Sequence, residues 1–156
     1  MENIEQKKEF LRRGFAEKLK TIPADAERHW GKMNVQQMIE HMTDSVSWAN
    51  GKHGFDLVTP EENVSKMQAF LMSEKPFKEN TPNNLISETP FPVRNQTMDD
   101  AIQELQREID QFFTVFENGK QQTTLNPFFG DLNFEMWVQL FYKHAWHHLR
   151  QFGVEE

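Results

Sequence analysis

The feature that most constrains the fold is the last amphipathic stretch, residues 133–153, with the sequence NFEMWVQLFYKHAWHHLRQFG. At about 100° of rotation per residue, its large apolar side chains fall on one side, as in a helix that packs against a core. Asn133 is a typical N-cap residue and Gly153 a typical C′ residue, so the helix is predicted to begin and end there. Leu132 and Trp137 have the spacing of a hydrophobic staple at its start.

Two histidines lie where this helix should face the core. His148 is near the middle of the apolar arc and His144 is one turn earlier, toward its edge, whereas His147 points nearer the polar side. The H-x-x-x-H spacing places two imidazoles on one helical face, where both can bind the same metal ion. A buried histidine can also be a neutral core residue that is hydrogen-bonded to a carbonyl, so the metal hypothesis needs a third ligand.

Helical periodicity continues through the rest of the chain, and no segment alternates apolar and polar residues as a half-buried strand would. The sequence Thr59-Pro60-Glu61-Glu62 matches a capping box with proline at N1, so Thr59 is expected to cap a short helix. Similar caps precede the longer helices, which are expected from Asn3 to about Lys20, from Asn34 to Asn50, from Thr97 to Glu117, and from Asn133 to Gly153.

These helices predict an all-α fold, a four-helix bundle in a single domain over residues 1–156. The second and third long helices are joined by roughly 45 residues, which is long enough for the chain to cross back and for the two helices to run parallel. We therefore expect up-down-down-up order, with the short helix in the crossover. Residues 73–96 are rich in proline and are expected to cover the mouth of the bundle, and the NPFFG turn at 126–130 is expected to pack under the last helix.

Composition and charge exclude several classes of function. The net charge of −7 and pI of about 5.4, without a basic cluster, argue against nucleic acid as a partner. The sequence has no long apolar run and no signal-like start, so we expect a cytoplasmic protein that does not bind membranes. The absence of cysteine fits a reducing compartment and removes thiolate ligands, so any sulfur chemistry needs an external thiol.

A third histidine lies on the second predicted helix. His41 is beside the apolar stripe, in line with Met38 and Trp48, and would face a neighbouring helix. Together with His144 and His148 it supplies three neutral imidazoles, which leave coordination positions open for water or substrate, as in catalytic sites. The chain has no E-x-x-H, H-E-x-x-H or G-x-S-x-G motif, and we assign no role to the loop residues His29 and His53.

Four further residues are candidates for the surroundings of this site. Trp48 and Trp137 are expected to form walls of the pocket, with the core as the ordinary alternative for each. Gln151, one turn after His148, can orient that ring or bind a ligand, and Asp44 can act as a proton acceptor or support His41. A solvated surface position is the ordinary alternative for both.

The sequence resembles a known superfamily. The segments IEHMTDS and KHAWHHLRQFG are similar to the motifs of the DinB/YfiT-like metalloenzymes, in which one histidine is followed later by H-x-x-x-H and a nearby glutamine. WGKMNVQQMIEHMTDS and NPFFGDLNFEMW look like a branch known mostly as a domain of unknown function. The resemblance covers nearly the whole chain. It implies that His41, His144 and His148 are metal ligands and that Gln151 matches the glutamine after the last ligand.

The resemblance also implies an activity, because characterised members resemble thiol S-transferases that use a divalent metal and a small thiol such as bacillithiol or mycothiol, and others resemble hydrolases or isomerases. Our first hypothesis is therefore a transferase in which Ni²⁺ or Zn²⁺ on the three histidines binds a low-molecular-weight thiol. The alternatives are a metal-dependent hydrolase with Asp44 or a glutamate as base, and a non-catalytic, stress-related metal-binding bundle that forms a homodimer.

Overall fold

Helix caps define the elements of the structure, a computed structural model that describes residues 3–52, 54–79, 90–117 and 123–156. Within these residues the chain is mostly helical, with one small antiparallel sheet. In the part of the chain that the structure describes, none of the helices is long and apolar enough to cross a membrane. The elements are α1 Ile4–Glu9, a π-helical turn Phe10–Gly14, α2 Phe15–Lys20, α3 Val35–Ala49, α4 Glu61–Met72, α5 Met98–Glu117, β1 Thr124–Asn126, β2 Gly130–Leu132 and α6 Phe134–Gln151.

The predicted caps of three long helices are confirmed. The side chains of Asn34, Thr97 and Asn133 each accept a hydrogen bond from the backbone N–H three residues later, at 2.8, 3.1 and 3.0 Å. Gly153 follows α6 with a φ of 84°, and its N–H and that of Val154 close a Schellman motif on the carbonyls of the last turn. Glycine is favoured here because the left-handed conformation is strained for residues with a Cβ atom.

The short helix begins differently from its prediction. Pro60, and not Thr59, is the N-cap of α4, and it makes no side-chain capping bond. The hydroxyl of Thr59 instead donates to the carbonyl of Phe128, at 2.7 Å. The capping-box prediction was wrong because Thr59 has a partner outside its own helix, which a local pattern cannot reveal.

A hairpin adds β structure to the predicted all-α fold. Strands β1 and β2 pair Thr124 with Leu132 and Asn126 with Gly130. The side-chain oxygen of Asn126 accepts from the backbone N–H groups of Phe128 and Phe129, at 2.8 and 3.0 Å, and so fixes the turn. Each strand has only three residues, which is too short for alternation to be visible in the sequence. The helical class is confirmed, and the up-down-down-up bundle stays a prediction.

The core is aromatic and connects α5 with α6. Phe112 lies edge-on to Phe141, with ring centroids 5.1 Å apart, and stacks on Phe134 at 5.5 Å. The buried face of α5 contains no charged group, and α3 packs beside this helix. The largest fully buried side chains include Trp137, Phe15, Phe112, Phe141, Leu11, Leu19, Met38 and Ile39.

A buried carboxylate attaches the loop before α5 to the helix that carries His41. Glu40 is 4% exposed and accepts hydrogen bonds from the backbone N–H groups of Arg94 and Asn95, at 2.9 and 3.0 Å. The side-chain amides of Asn95 and Gln36 donate to the same carboxylate, at 3.1 and 3.2 Å. These bonds lower the pKa of Glu40 against the opposing effect of burial, which is the largest single influence and raises it. The charged form is therefore the one that the fold stabilises.

We predict that Glu40→Gln lowers the free energy of unfolding by about 1–3 kcal/mol, because an amide cannot accept all of these bonds and hydrogen bonds to a charged group contribute about 1.5–3 kcal/mol. Urea denaturation at pH 7 measures the change. The control is Glu17→Gln on the exposed side of α2, which should change stability by less than about 0.5 kcal/mol. Equal effects of the two substitutions would contradict the role given to Glu40.

Candidate metal centre

Three imidazole nitrogens meet between α3 and α6. The Nε2 atom of His144 lies 3.2 Å from Nε2 of His41 and 2.9 Å from Nε2 of His148. The three residues form the one potential metal-binding group of histidine, cysteine or acidic side chains found among the described residues, with ligand atoms within 4.8 Å of one another. The convergence predicted from H-x-x-x-H and the distant His41 is therefore present in the fold.

The spacing of these nitrogens fits a shared cation. Imidazole nitrogens at about 2.0–2.1 Å from one ion are about 2.9 Å apart at a right angle and about 3.3 Å apart at a tetrahedral angle. The two separations at His144, 2.9 and 3.2 Å, agree with these values. The donor set is also suitable, since neutral imidazoles bind Zn²⁺, Ni²⁺ and related ions.

Gln151 determines which nitrogen of His148 carries the proton. The side-chain amide nitrogen of Gln151 donates to the carbonyl of Trp30 at 2.9 Å, so its oxygen faces His148 Nδ1, at 2.8 Å. An oxygen can only accept, and Nδ1 of His148 is therefore the protonated nitrogen. The lone pair of His148 is left on Nε2, which faces the cluster, as metal coordination requires.

Hydrogen bonds alone do not satisfy the three nitrogens. Because His148 Nε2 carries a lone pair, a proton on His144 Nε2 can bond to it. The same proton cannot also make a linear bond to His41. If His41 donates to His144 instead, the lone pairs of His144 and His148 face each other at 2.9 Å. A cation in the centre removes this conflict because it accepts all three lone pairs.

The turn before α3 fixes Gln151 in this orientation. The backbone N–H of His29 donates to the Gln151 carbonyl at 2.7 Å, beside the Trp30 contact, and Gln151 is 2% exposed. Gly31 follows with a φ of 77°, and a Cβ atom there would lie 2.7 Å from the Gln151 amide nitrogen. Only glycine allows both the left-handed turn and this close approach.

Burial keeps the cluster neutral. It lowers the pKa of His41 to about 4, with a further decrease from the charge of His147. Burial also holds the pKa of His144 and of His148 well below the usual range, and the neighbouring histidines act in the same direction. The three rings are therefore unprotonated at pH 7, which is the form that binds metal.

The sequence as a whole identifies the family. A family model of the DinB superfamily matches residues 9–152. The chain belongs to the DinB superfamily. A search of curated proteins and a search of solved structures each gave no match. The matched region includes α3 and α6, the two helices that supply the histidine cluster, so the superfamily resemblance inferred from the motifs is confirmed.

The other predicted site residues of this DinB superfamily member have well-defined surroundings. Trp137 is fully buried, with its ring 5.4 Å from that of Phe141, and Trp48 is half-buried against Phe55, at 4.7 Å. The carboxylate of Asp44 forms an ion pair with Arg94 at 3.1 Å. Gln151 contacts His148 as predicted. The pocket roles of the two tryptophans and the catalytic role of Asp44 stay predictions.

Two further residues near the cluster, Phe77 and His147, were not identified from the sequence as parts of the site. The ring of Phe77 lies 6.3 Å from that of His144 and 6.2 Å from that of His147, which in turn contacts His148 at 5.0 Å. Phe77 belongs to the irregular segment 73–96, of which 80–89 lies outside the described residues. The expectation that this segment covers the mouth of the bundle stays a prediction. Together with Trp30, both rings line a neighbouring cavity of about 520 Å³.

We predict that the metal-free protein loses stability as the pH falls from about 6.5 to about 4. The pKa of His41 and of His147 is about 4 in the folded protein, below the usual 6.5, because burial disfavours their charged forms. Over this interval the unfolded chain binds more protons than the folded one, so acid favours unfolding. The expected loss exceeds about 2 kcal/mol, since one pKa unit corresponds to about 1.4 kcal/mol.

Urea denaturation in the presence of a chelator at pH 7.0, 6.0 and 5.0 measures this dependence. His41→Asn should weaken it, because asparagine does not titrate. His29→Asn, at an exposed position, should leave it unchanged. A free energy of unfolding that is constant from pH 7 to pH 5 would show that the histidines are not buried in the neutral form.

Proposed function

We propose that this DinB superfamily protein is a divalent-metal-dependent enzyme, most simply a transferase that joins a low-molecular-weight thiol to a small electrophile. The proposal includes the four-helix, up-down-down-up bundle, with His41, His144 and His148 as ligands of Ni²⁺ or Zn²⁺. The observation that carries it is the convergence of three Nε2 atoms, two of them 2.9 and 3.2 Å from the third. Three protein ligands leave coordination positions for a substrate, as in catalytic metal sites.

Access to the cluster supports a catalytic site over a closed structural one. His41 and His144 are only half-buried, whereas His148 is 5% exposed and is fixed by Gln151. The cavity lined by Phe77 and His147, about 520 Å³, is within the range of about 300–1,000 Å³ that is usual for small-molecule sites. None of the three ligands lines this cavity, so a small substrate bound there lies beside His147 and Phe77, whose rings contact those of His148 and His144.

A thiol is the nucleophile that this chain's own residues fit best. When bound, a divalent cation lowers the pKa of a thiol enough to give a thiolate at neutral pH. The chain contains no cysteine, so the thiol is a substrate from outside. Gln151 keeps the lone pair of His148 directed at the centre, and the apolar ring of Phe77 lies edge-on to the His144 ring, with centroids 6.3 Å apart. The thiol proton passes to solvent.

Hydrolysis needs a general base to activate water, and the described residues around the cluster offer only a poor candidate for this role. Asp44, the proton acceptor considered from the sequence, is 47% exposed and is paired with Arg94, which also binds Glu104 at 2.7 Å. The contacts of the Asp44 carboxylate are with Arg94, and among the described residues none of them reaches the three histidines. This arrangement favours the thiol hypothesis over the hydrolytic one.

We predict that the purified protein binds about one Ni²⁺ or Zn²⁺ per chain and that metal raises its melting temperature, since a ligand of the folded state stabilises it by mass action. His148→Ala should weaken binding at least about 100-fold, because it removes a ligand. Gln151→Leu should weaken it about 10–100-fold, because the ring then loses the bond that orients it. Elemental analysis and calorimetric titration measure both effects.

His29→Ala serves as the control, because this histidine is exposed and its hydrogen bond to Gln151 is made by the backbone N–H, which the substitution retains. It should retain full metal binding. Substoichiometric metal in the unmodified protein after incubation with Ni²⁺ and with Zn²⁺, or unchanged affinity in His148→Ala, would reject the metal centre.

We predict metal-dependent turnover when a thiol such as bacillithiol, mycothiol or glutathione is supplied together with monochlorobimane, an electrophile that becomes fluorescent on conjugation. The rate should fall to the uncatalysed level with chelator and in His148→Ala. Turnover of an ester or amide without added thiol would identify a hydrolase instead. No turnover of either substrate class by fully metal-loaded protein would favour a metal-binding protein without catalysis.

A further inference from the structure

Two lysine side chains are buried near the histidine cluster, and neither is one of its candidate ligands. Lys7 on α1 is 7% exposed and Lys143 on α6 is 8% exposed. Among the ion pairs of the described residues, none involves either ammonium group. Removal of an ammonium ion from water costs several kcal/mol, so buried lysines normally contact a counter-charge.

The contacts within the protein compensate these charges only in part. Lys143 donates to the carbonyl oxygens of Phe70, Leu71 and Ser73 at the end of α4, at 2.9, 3.3 and 3.4 Å. A helix C-terminus carries the equivalent of only about half a negative charge. Lys7 donates to the neutral side-chain oxygen of Gln139 at 2.7 Å, and the amide nitrogen of Gln139 donates to the Leu71 carbonyl at 3.1 Å. The hydrogen-bonded network therefore contains two full positive charges and no full negative one.

A cavity of about 190 Å³ lies against both ammonium groups. Tyr142 and Trp146 provide aromatic walls. Three other charged residues also line it. Arg150 and Glu156 form an ion pair with each other at 3.3 Å, and Glu74 is exposed and attracts Lys143 without forming an ion pair. With both lysines counted, the charge lining the cavity is positive.

We propose that this cavity binds a small organic or inorganic anion, with the carboxylate or phosphate group of the ligand between Lys7 and Lys143. Such a group supplies the missing negative charge and accepts the N–H groups that Lys7 has beyond its bond to Gln139. Lys143, whose N–H groups already face three carbonyl oxygens, contributes its charge. The site is separate from the metal centre, because none of the three histidine ligands lines the cavity. Phe77 contacts a residue of each site, with its ring 5.2 Å from the Lys143 ammonium and 6.3 Å from the His144 ring.

The test is calorimetric titration of chelator-treated protein with inorganic phosphate and, separately, with succinate, at constant ionic strength. The expected result is saturable binding of at least one probe, with the stronger probe indicating a phosphate or a carboxylate ligand. Lys7→Met should weaken that binding at least 10-fold while retaining the apolar stem of the side chain. Lys8→Met is the matched control, because Lys8 pairs with Glu117 and does not line the cavity, and it should leave the affinity unchanged.

Other outcomes would overturn the proposal. Absence of saturable binding of both probes to the unmodified protein would show that the lysines serve only the network around Gln139. Equal affinity in Lys7→Met would exclude Lys7 from the site. Binding that occurs only with metal present, or that is lost in chelator-treated His148→Ala, would assign the anion to the histidine cluster. Circular dichroism of each variant confirms that it is folded, and Lys143→Met provides a second variant if Lys7→Met does not fold.

Discussion

One side-chain amide connects the architecture to the candidate chemistry. Gln151 is bonded on one side to the carbonyl of Trp30 and on the other to His148, and this pair of contacts fixes both the orientation and the protonated nitrogen of the ring. The turn through Gly31 has to approach closely for this to happen. The cluster thus depends on the loop before α3 as much as on the helices that supply its ligands, since a ring that rotates freely does not present a lone pair to a shared centre.

The sequence patterns predicted the features that depend on residues close together in the chain. The caps at Asn34 and Asn133 follow from the chemistry of unpaired N–H groups, and the shared face of His144 and His148 follows from helical geometry. The contribution of His41 required only the assumption that its helix faces α6. The Thr59 contact with Phe128 and the Trp30 contact with Gln151 join residues that are far apart in sequence, and no periodicity encodes them.

Lys7 interrupts the apolar face of the first helix, and this interruption is visible in the sequence. The apolar stripe of the first helix contains Ile4, Leu11 and Phe15, and Lys7 lies one helical turn after Ile4 and one turn before Leu11. A lysine at such a position must either extend to solvent or find a partner inside the fold. The sequence does not choose between these outcomes, because the partner, Gln139, is 132 positions away.

His144 and Lys143, which are adjacent on α6, are thus proposed to bind ligands of opposite charge. Burial makes the ring of His144 a neutral donor for a cation. One position earlier, burial lowers the pKa of Lys143 to about 8, so this side chain still carries a charge suited to an anion at pH 7. The two proposed ligands have opposite charges, and the apolar ring of Phe77 contacts both Lys143 and His144, so their attraction would be weakly screened. Occupation of either site then favours occupation of the other, because binding linkage is reciprocal. An anionic substrate bound at the lysines would in this way strengthen the hold of the histidines on their metal.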